Sequence, residues 1–291
     1  MTSSTAKGSG RRFSVGPSLP LLPFLAFVTV FLFVPTVTVI IGAFQTAEGG
    51  FSAGSLSYLG SAAAVAALKG SLIVSAASAI IGAVVGGLVA YIISTAPPRS
   101  LLRRVVVSVS GVLAQFGGVT LAFAFLASYG FSGMVTLALA NRGVDLYGDG
   151  WLFRLPGITL VYTYFQIPLM VIVFLPALEG LRPQWREAAV NLGATTRQYW
   201  LEVGLPLLRP AFLGSTLLLF ANSFAAYATV AALVGQGAPV TPLLIRQLFS
   251  SEVLLGGAVN AKVLALEMVV VVAVVMALYA WLLRRTSRWL R

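Results

Sequence analysis

The sequence predicts an all-α polytopic membrane protein with six transmembrane helices and with both termini in the cytoplasm. Its 291 residues are 58% hydrophobic and only 9% charged, whereas soluble domains carry about 25% charged residues. Six apolar segments each reach the ~20 residues that a helix needs to cross a bilayer. Lysine and arginine are concentrated in alternate connections, which is the pattern of a multi-pass protein with a defined orientation.

In chain order, the predicted spans are residues 19–44, 71–94, 105–127, 156–178, 207–233 and 263–283. The first apolar run is longer than the 7–15 residues of a signal-peptide core, so we expect a retained span. Residues 1–17 are rich in serine, glycine and basic side chains and are expected to form a disordered cytoplasmic tail. Residues 18–291 are then a single transmembrane domain.

The basic residues set the orientation. With the N-terminus inside, fourteen of the nineteen Lys and Arg residues lie on the cytoplasmic side and five outside. The inside set is Lys7, Arg11, Arg12, Arg99, Arg103, Arg104, Arg182, Arg186, Arg197, Arg209, Arg284, Arg285, Arg288 and Arg291; the outside set is Lys69, Arg142, Arg154, Arg246 and Lys262. This asymmetry follows the positive-inside rule. The net charge of +11 therefore reflects topology, and no nucleic-acid partner is expected.

Several features within the spans carry local predictions. Pro168 cannot donate a backbone hydrogen bond, so a kink is expected in the fourth span. Gly82 and Gly86 form a G-x-x-x-G motif, which permits close helix packing. Glu267 is the acidic residue that the pattern places inside a span. Because it lies near Lys262 and the outer end, an interfacial charge is favoured over a proton relay.

The connection before the fifth span is unusually well organised for a loop between membrane helices. Pro183 sits where a first-turn proline is tolerated, and Gly193 interrupts the helical pattern that follows. Thr195 and Gln198 have the spacing of a capping box that opens a second helix. We expect Leu205 and Pro206 to end that helix and Pro210 to help open the fifth span. Residues 183–206 are thus expected to form a helix-glycine-helix at the membrane surface.

The side chains of this connection are suited to protein contact. Ala188, Ala189 and Gly193 are small, so another backbone can approach them closely. Glu187 lies near a helix N-terminus, where a carboxylate is favoured. A helix that merely lies on the membrane would carry bulky apolar residues on one face and basic residues on the other. The pattern therefore favours docking of a protein partner over a surface-lying helix.

These residues match a known pattern in spacing and in location. The pattern consists of Glu187, Ala188, Ala189, Gly193, Val203, Leu205 and Pro206. It resembles the signature loop of the membrane subunits of binding-protein-dependent ABC importers, with valine where the family usually has isoleucine. The resemblance extends over the core, residues 71–283, of the type I importer permease fold. It implies that residues 180–206 form a coupling loop, with Glu187, Ala188, Ala189 and Gly193 docking on a cytoplasmic ATPase and Leu205-Pro206 stiffening the return to the membrane.

The resemblance also implies a set of partners. These are a cytoplasmic ABC ATPase dimer, a second permease subunit of the same or a related chain, and an extracytoplasmic solute-binding protein, in the inner membrane of a prokaryote. The three lysines, Lys7, Lys69 and Lys262, do not follow glycine, so the chain contains no Gly-Lys of a phosphate-binding loop. ATP and Mg²⁺ are therefore expected on the partner ATPase, with no cofactor on this chain and no enzymatic activity of its own.

A second resemblance concerns residues 220–229, FANSFAAYAT, which are similar to permeases of the polyamine, phosphonate and ferric-iron importer group. It implies a small polar solute. Polar residues within the spans are candidates to line the pathway or, alternatively, to form hydrogen bonds between helices. The candidates are Gln115, Tyr162, Tyr164, Gln166, Asn222, Ser223 and Tyr227.

Two other functional classes are alternatives to a permease subunit of an ABC importer. A secondary transporter driven by an ion gradient would place ionisable groups near the bilayer midplane, and no carboxylate lies well inside a predicted span. Sodium bound by carbonyls freed near Pro168 remains open. A membrane-embedded enzyme is disfavoured, because the chain has no cysteine and no histidine and no paired intramembrane acids. The missing cysteine and histidine also remove the usual ligands of a transition-metal site.

Overall fold

A computed structural model describes residues 21–46, 50–97, 99–148, 150–235, 237–250 and 256–287. The predicted tail, residues 1–17, lies outside the described residues. The helices are α1 (Leu22–Val28), α2 (Val34–Ala43), α3 (Ala62–Thr95), α4 (Leu101–Gln115), α5 (Gly118–Tyr129), α6 (Met134–Ala140), α7 (Leu155–Glu179), α8 (Pro183–Asn191), α9 (Thr196–Tyr199), α10 (Leu205–Ala225), α11 (Ala228–Val234), α12 (Thr241–Ser250) and α13 (Gly257–Ser287).

Six helical segments in the described part of the chain are long and apolar enough to cross a membrane, which confirms the predicted number. They are Leu22–Ala43, Ala62–Thr95, Gly118–Ala140, Leu155–Glu179, Thr196–Ala225 and Gly257–Leu282. The first of these joins α1 to α2 through a π-helical turn, and its window is not buried by the rest of the chain. The fourth, α7, remains one helix through Pro168. The third combines α5 with the seven-residue helix α6, so it extends beyond residue 127, the predicted end of that span.

The centre of the bundle is the pair α3 and α7, which make the most extensive contact between helices. Ser61 caps α3 by accepting a hydrogen bond from the Ala64 amide. A Cβ on Gly82 would lie 2.6 Å from the Cβ of Gln166, and one on Gly86 would lie 2.5 Å from the Ile167 carbonyl oxygen. These glycines therefore let α3 approach α7 more closely than any side chain would permit, as the G-x-x-x-G motif predicted.

Of three hydrophobic clusters in the described residues, the two larger ones follow each other along the bundle. The loop-end cluster joins α3, α7 and α10 next to residues 180–206; its buried members are Ala79, Ala83, Ala90, Ile93, Met170, Val171, Phe174, Leu175, Leu178, Leu208 and Leu219. The far-end cluster joins α3, α5, α7 and α11; its buried members are Val74, Leu121, Ala122, Leu152, Ile158, Val161, Tyr162, Phe165, Val230, Leu233, Ala238, Val240 and Leu243. Both α3 and α7 pass through both clusters.

The third and fifth predicted spans are interrupted, which corrects the expectation of continuous helices at 105–127 and 207–233. The first interruption, at residues 116–117, separates α4 from α5, and the second, at residues 226–227, separates α10 from α11. Gly118 has a φ of +74°, a conformation that disfavours every residue with a side chain. Leu219 of α10 belongs to the loop-end cluster and Val230 of α11 to the far-end cluster. The breaks therefore lie at the boundary between the two clusters.

Candidate functional site

Residues 180–206 form an ordered structure at one end of the bundle. Pro183 occupies the first turn of α8, because that position needs no amide donor. Gly193 ends the helix with a φ of +82°. Thr195 then caps α9, and the Gln198 side chain accepts a hydrogen bond from the Thr195 amide in return. The predicted helix-glycine-helix and its capping box are therefore confirmed.

The outer surface of this loop combines charge with exposed apolar groups. Glu187 and Ala188 on α8 and Gly193 beyond it are exposed, whereas Ala189 is half-buried. Leu192 is 87% exposed and Val190 is also exposed. In an ordered segment, projecting apolar side chains of this kind are typical of a contact with another molecule.

The return from the loop to the membrane differs from the prediction. Leu205 and Pro206 do not end a helix, because α9 continues through a π-helical turn, Trp200–Gly204, directly into α10. Pro206 lies in the first turn of α10, where its missing amide donor is tolerated. The π-helical turn before it changes the backbone hydrogen-bonding pattern locally within the continuous helix. The helical path from Thr196 to Ala225 therefore connects the loop to the middle of the bundle without a break.

A second connection to the loop is an ion pair that the sequence pattern did not indicate. The guanidinium of Arg103, near the start of α4, donates to the Glu179 carboxylate at the end of α7. Both groups are partly exposed. Glu179 directly precedes the loop, so the pair links α4 to the segment from which the loop projects. Residues far apart in the chain form it, which is why spacing alone could not reveal it.

The two helix breaks border an open cavity of about 340 Å³. Its wall is formed by the end of α4, the start of α5, the end of α10 and the start of α11. The lining residues are Ala114, Gln115, Gly117, Gly118, Phe165, Asn222, Ala225, Ala226, Tyr227, Ala228 and Thr229. No charged side chain is among these residues. The amides of Gln115 and Asn222 and the hydroxyl of Tyr227 supply polar groups, so the cavity can hydrogen-bond a solute without adding a fixed charge.

The seven predicted pathway candidates fall into three groups. Gln115, Asn222 and Tyr227 line this cavity, and their side chains are exposed. Tyr164 is 37% exposed and contacts Phe125 edge to face. It does not line the cavity.

The other three candidates are buried and make hydrogen bonds between helices. The Tyr162 hydroxyl donates to the Ala226 carbonyl at 2.7 Å. The Gln166 side-chain amide donates to the Leu219 carbonyl at 2.6 Å. The hydroxyls of Ser223 and Ser78 are 2.9 Å apart. These contacts join α7 and α3 to the end of α10 and to the residue just beyond it.

Two residues of the cavity wall were not anticipated. Gly118 and Thr229 are brought together by a hydrogen bond of 2.9 Å from the Gly118 amide to the Thr229 hydroxyl. The consecutive Gly117 and Gly118 within an apolar segment are the signal that could have located the first break, since glycine pairs weaken a helix. The second break has no comparable signal, because Ala226 and Tyr227 are ordinary residues in a helix.

Acidic groups are sparse in the membrane-spanning part. Among the described residues, no group of three or more potential metal ligands is found. Glu267 lies within α13, and both of its carboxylate oxygens are buried without a hydrogen-bond partner. The interfacial position of this charge stays a prediction.

Comparison with known proteins places the chain in a family. None of the known protein-family profiles matches it. The chain is 30% identical over 242 residues to the sulfate transport system permease protein CysT of Salmonella typhimurium, covering 81% of this chain and 83% of that protein. It is 28% identical over 159 residues to the molybdenum transport system permease protein ModB of Mycobacterium bovis, covering 55% and 56%.

A solved structure shows the same fold. It is a bacterial ABC transporter involved in the import of the acidic polysaccharide alginate, with a TM-score of 0.68 at 18% identity over 94% of this chain and 97% of that chain. At that identity the likeness concerns the fold alone. The identity to CysT over most of both sequences and the shared fold agree with the loop motif, and this chain belongs to the family of permease subunits of ABC importers.

Proposed function

We propose that this chain forms half of the translocation pathway of an ATP-driven importer and binds a separate cytoplasmic ATPase through residues 180–206. The observation that carries the proposal is the physical continuity between loop and cavity. One connection runs from Thr196 through α10 to Asn222. The other runs through the Arg103–Glu179 ion pair and along α4 to Gln115. A force on the loop would therefore reach two walls of the cavity at once.

The cavity supports the requirement for a second permease subunit. Gln115, Asn222 and Tyr227 are exposed in the single chain, so their polar groups face outward from the bundle. Polar side chains at membrane depth face protein or water in preference to lipid. A second copy or a related chain that covers this face would complete the pathway. The binding protein would deliver solute on the side of the membrane opposite the ATPase.

The orientation of the assembly follows from charge. Residues 180–206 and their flanks carry Arg182, Arg186, Arg197 and Arg209, which favour the cytoplasmic side. That side is where an ATPase with ATP and Mg²⁺ is found. We therefore infer that both termini are cytoplasmic and that the chain resides in the inner membrane of a prokaryote.

The chemistry of the cavity favours a small oxyanion over a polyamine. A polyamine is a cation and would need carboxylates, whereas none lines the cavity. The side-chain amides of Gln115 and Asn222 and the Tyr227 hydroxyl are donors that replace part of the hydration of an anion. A path with donors but no fixed positive charge binds weakly enough to release its solute. Sulfate and molybdenum appear in the names of two of the relatives.

Co-purification with the ATPase tests the proposed docking surface. Replacement of Leu192 by serine removes an apolar contact whose full burial stabilises a complex by about 1.5–3 kcal/mol. We expect affinity for the ATPase to fall about tenfold or more, with uptake of sulfate or molybdate reduced in parallel. Val144→Ser is the matched control, because Val144 is also an exposed apolar residue but lies far from the loop. Equal binding and equal uptake in both variants would rule out this docking surface.

Two further changes examine the same contact. Glu187→Lys reverses a charge on α8 and should weaken binding of the ATPase. Gly193→Asn keeps the positive φ, which asparagine tolerates, and a Cβ there meets nothing within 4 Å in this chain. Its effect therefore reports only on the space available to the partner.

The energy source of transport is tested by depletion of ATP, on which uptake must cease. Uptake that persists until an ion gradient collapses would indicate a secondary transporter.

A further inference from the structure

A hydroxyl from a neighbouring helix satisfies a backbone group at the first break. The amides of the first turn of α5 lack partners within their own helix, as at every helix start. Gly117, which precedes α5, has no side chain with which to cap it. The Gly118 amide instead donates to the hydroxyl of Thr229 on α11 at 2.9 Å. Thr229 is only 2% exposed, so its hydroxyl is held in place by the surrounding protein.

The second break is held in the same way by a different helix. Ala226 follows α10 in an extended conformation, so its carbonyl is not continued into a regular helix. The hydroxyl of Tyr162 on α7 donates to this carbonyl at 2.7 Å. Tyr162 is 3% exposed and belongs to the far-end cluster. Together the two bonds connect α5 to α11, and the residue that follows α10 to α7.

These bonds lie in the wall of the cavity between the breaks. Gly118, Ala226 and Thr229 are all lining residues. Gln115 lies at the first break and Tyr227 at the second. The positions of their polar groups in the cavity therefore depend on how the two breaks are held. Beyond the breaks, α5 and α11 pack extensively against each other and share the far-end cluster.

We propose that Thr229 and Tyr162 are positioning residues for transport: the Thr229 hydroxyl keeps α5 and α11 together as one unit during the transport cycle, and the Tyr162 hydroxyl keeps the second break against α7. They do not need to contact the solute. The role in transport rests on the proposed function, whereas the two hydrogen bonds and their effect on the breaks do not. Loss of the Thr229 hydroxyl would let the two cavity walls move independently of each other, and loss of the Tyr162 hydroxyl would release the second break from α7. In either case ATP hydrolysis would drive solute less efficiently.

Matched substitutions separate the hydroxyl from the volume of the side chain. Thr229→Val keeps the shape and removes the hydrogen bond, whereas Thr229→Ser keeps the hydroxyl. Thr136→Val is the control, because the Thr136 hydroxyl is buried without a hydrogen-bond partner. For the second bond, Tyr162→Phe is compared with Tyr164→Phe, since no described residue forms a hydrogen bond with the Tyr164 hydroxyl.

Hydrogen exchange of the full-length chain in lipid nanodiscs tests the breaks without any transport partner. In Thr229→Val we expect the amides of residues 116–121 to exchange roughly fivefold faster, the effect of losing one typical hydrogen bond. Thr229→Ser and Thr136→Val should match the wild type. Unchanged exchange in Thr229→Val, or equally fast exchange in Thr229→Ser, would overturn the assigned role of the hydroxyl.

The second measurement is solute transported per ATP hydrolysed in the reconstituted complex with its ATPase and binding protein. We expect it to fall at least threefold in Thr229→Val and Tyr162→Phe, with an unchanged KM for the loaded binding protein and normal values in Thr229→Ser and Tyr164→Phe. Faster exchange with unchanged solute per ATP would overturn the role in transport. A wild-type complex that hydrolyses ATP but transports no oxyanion would count against the proposed substrate instead. The exchange experiment would still decide whether the Thr229 hydroxyl holds the first break.

Discussion

Glycine pairs serve opposite purposes in two regions of this molecule. In the spine, formed by α3 and α7, Gly82 and Gly86 keep helical geometry and let two backbones touch. In the break between α4 and α5, Gly117 and Gly118 interrupt a helix, and Gly118 adopts a φ of +74°. The missing Cβ permits close packing in the first case and an unusual backbone in the second.

The difference shows how one bundle combines a fixed part with parts that can move. The spine runs unbroken through both hydrophobic clusters, and rigid packing transmits strain with little loss. The third and fifth predicted spans are interrupted at the boundary between these clusters. A few residues at the ends of elements are sufficient to absorb a change of conformation. The spine therefore provides the fixed reference against which the walls of the cavity are positioned.

The largest expected effect comes from damage to the spine. Gly86→Val places side-chain atoms where a Cβ alone would lie 2.5 Å from the Ile167 carbonyl oxygen and 2.7 Å from the Met170 Cβ. Such overpacking costs about 3 kcal/mol or more. We expect a sharply lower yield of folded protein and a lower thermal unfolding temperature. Gly111→Val is the control, because a Cβ on Gly111 meets nothing within 4 Å; similar losses in both variants would show that packing against α7 is not the cause.

An intermediate effect is expected at the first break. Gly118→Ala forces alanine into the left-handed region, at a cost of about 1–2 kcal/mol, although its Cβ would have only an ordinary contact of 3.7 Å with Ala228. Gly117→Ala has similar space, 3.8 Å from Phe165, and a negative φ. We therefore expect a measurable loss of stability in chemical denaturation for Gly118→Ala alone. An equal loss in Gly117→Ala would point to crowding and away from backbone conformation.

The sequence predicted those features that depend on local composition or short spacing. Apolar length gave six spans, because a bilayer imposes the same requirement on each. The box formed by Thr195 and Gln198 was predictable because both partners lie within one turn. Pro183, in the first turn of α8, was predictable for the same reason. Each of these features is decided by residues that are neighbours in the chain.

Features that depend on distant partners escaped sequence reasoning. The break at Ala226 is stabilised by Tyr162, which is 64 residues away in the chain. The fifth span was expected to be continuous, since its local sequence has good helical character. The same applies to Leu205 and Pro206, where a π turn lets the helix continue. The polar candidates likewise divide by tertiary position: Gln166 faces α10 in the core, whereas Gln115 faces the cavity.

The smallest expected effect concerns the bond that joins the spine to a broken helix. The hydroxyls of Ser78 on α3 and Ser223 on α10 are 2.9 Å apart and buried. Hydrogen bonds between membrane helices average about 0.6 kcal/mol in double-mutant cycles. We expect Ser78→Ala and Ser223→Ala to show a coupling energy near that value in unfolding measurements. Because the bond lies on the loop-end side of Ala226, the double variant should leave hydrogen exchange at residues 116–121 unchanged. Faster exchange there would mean that the spine also holds the first break through α10. The contrast between a fixed spine and breaks that are held by their own hydrogen bonds would then have to be abandoned.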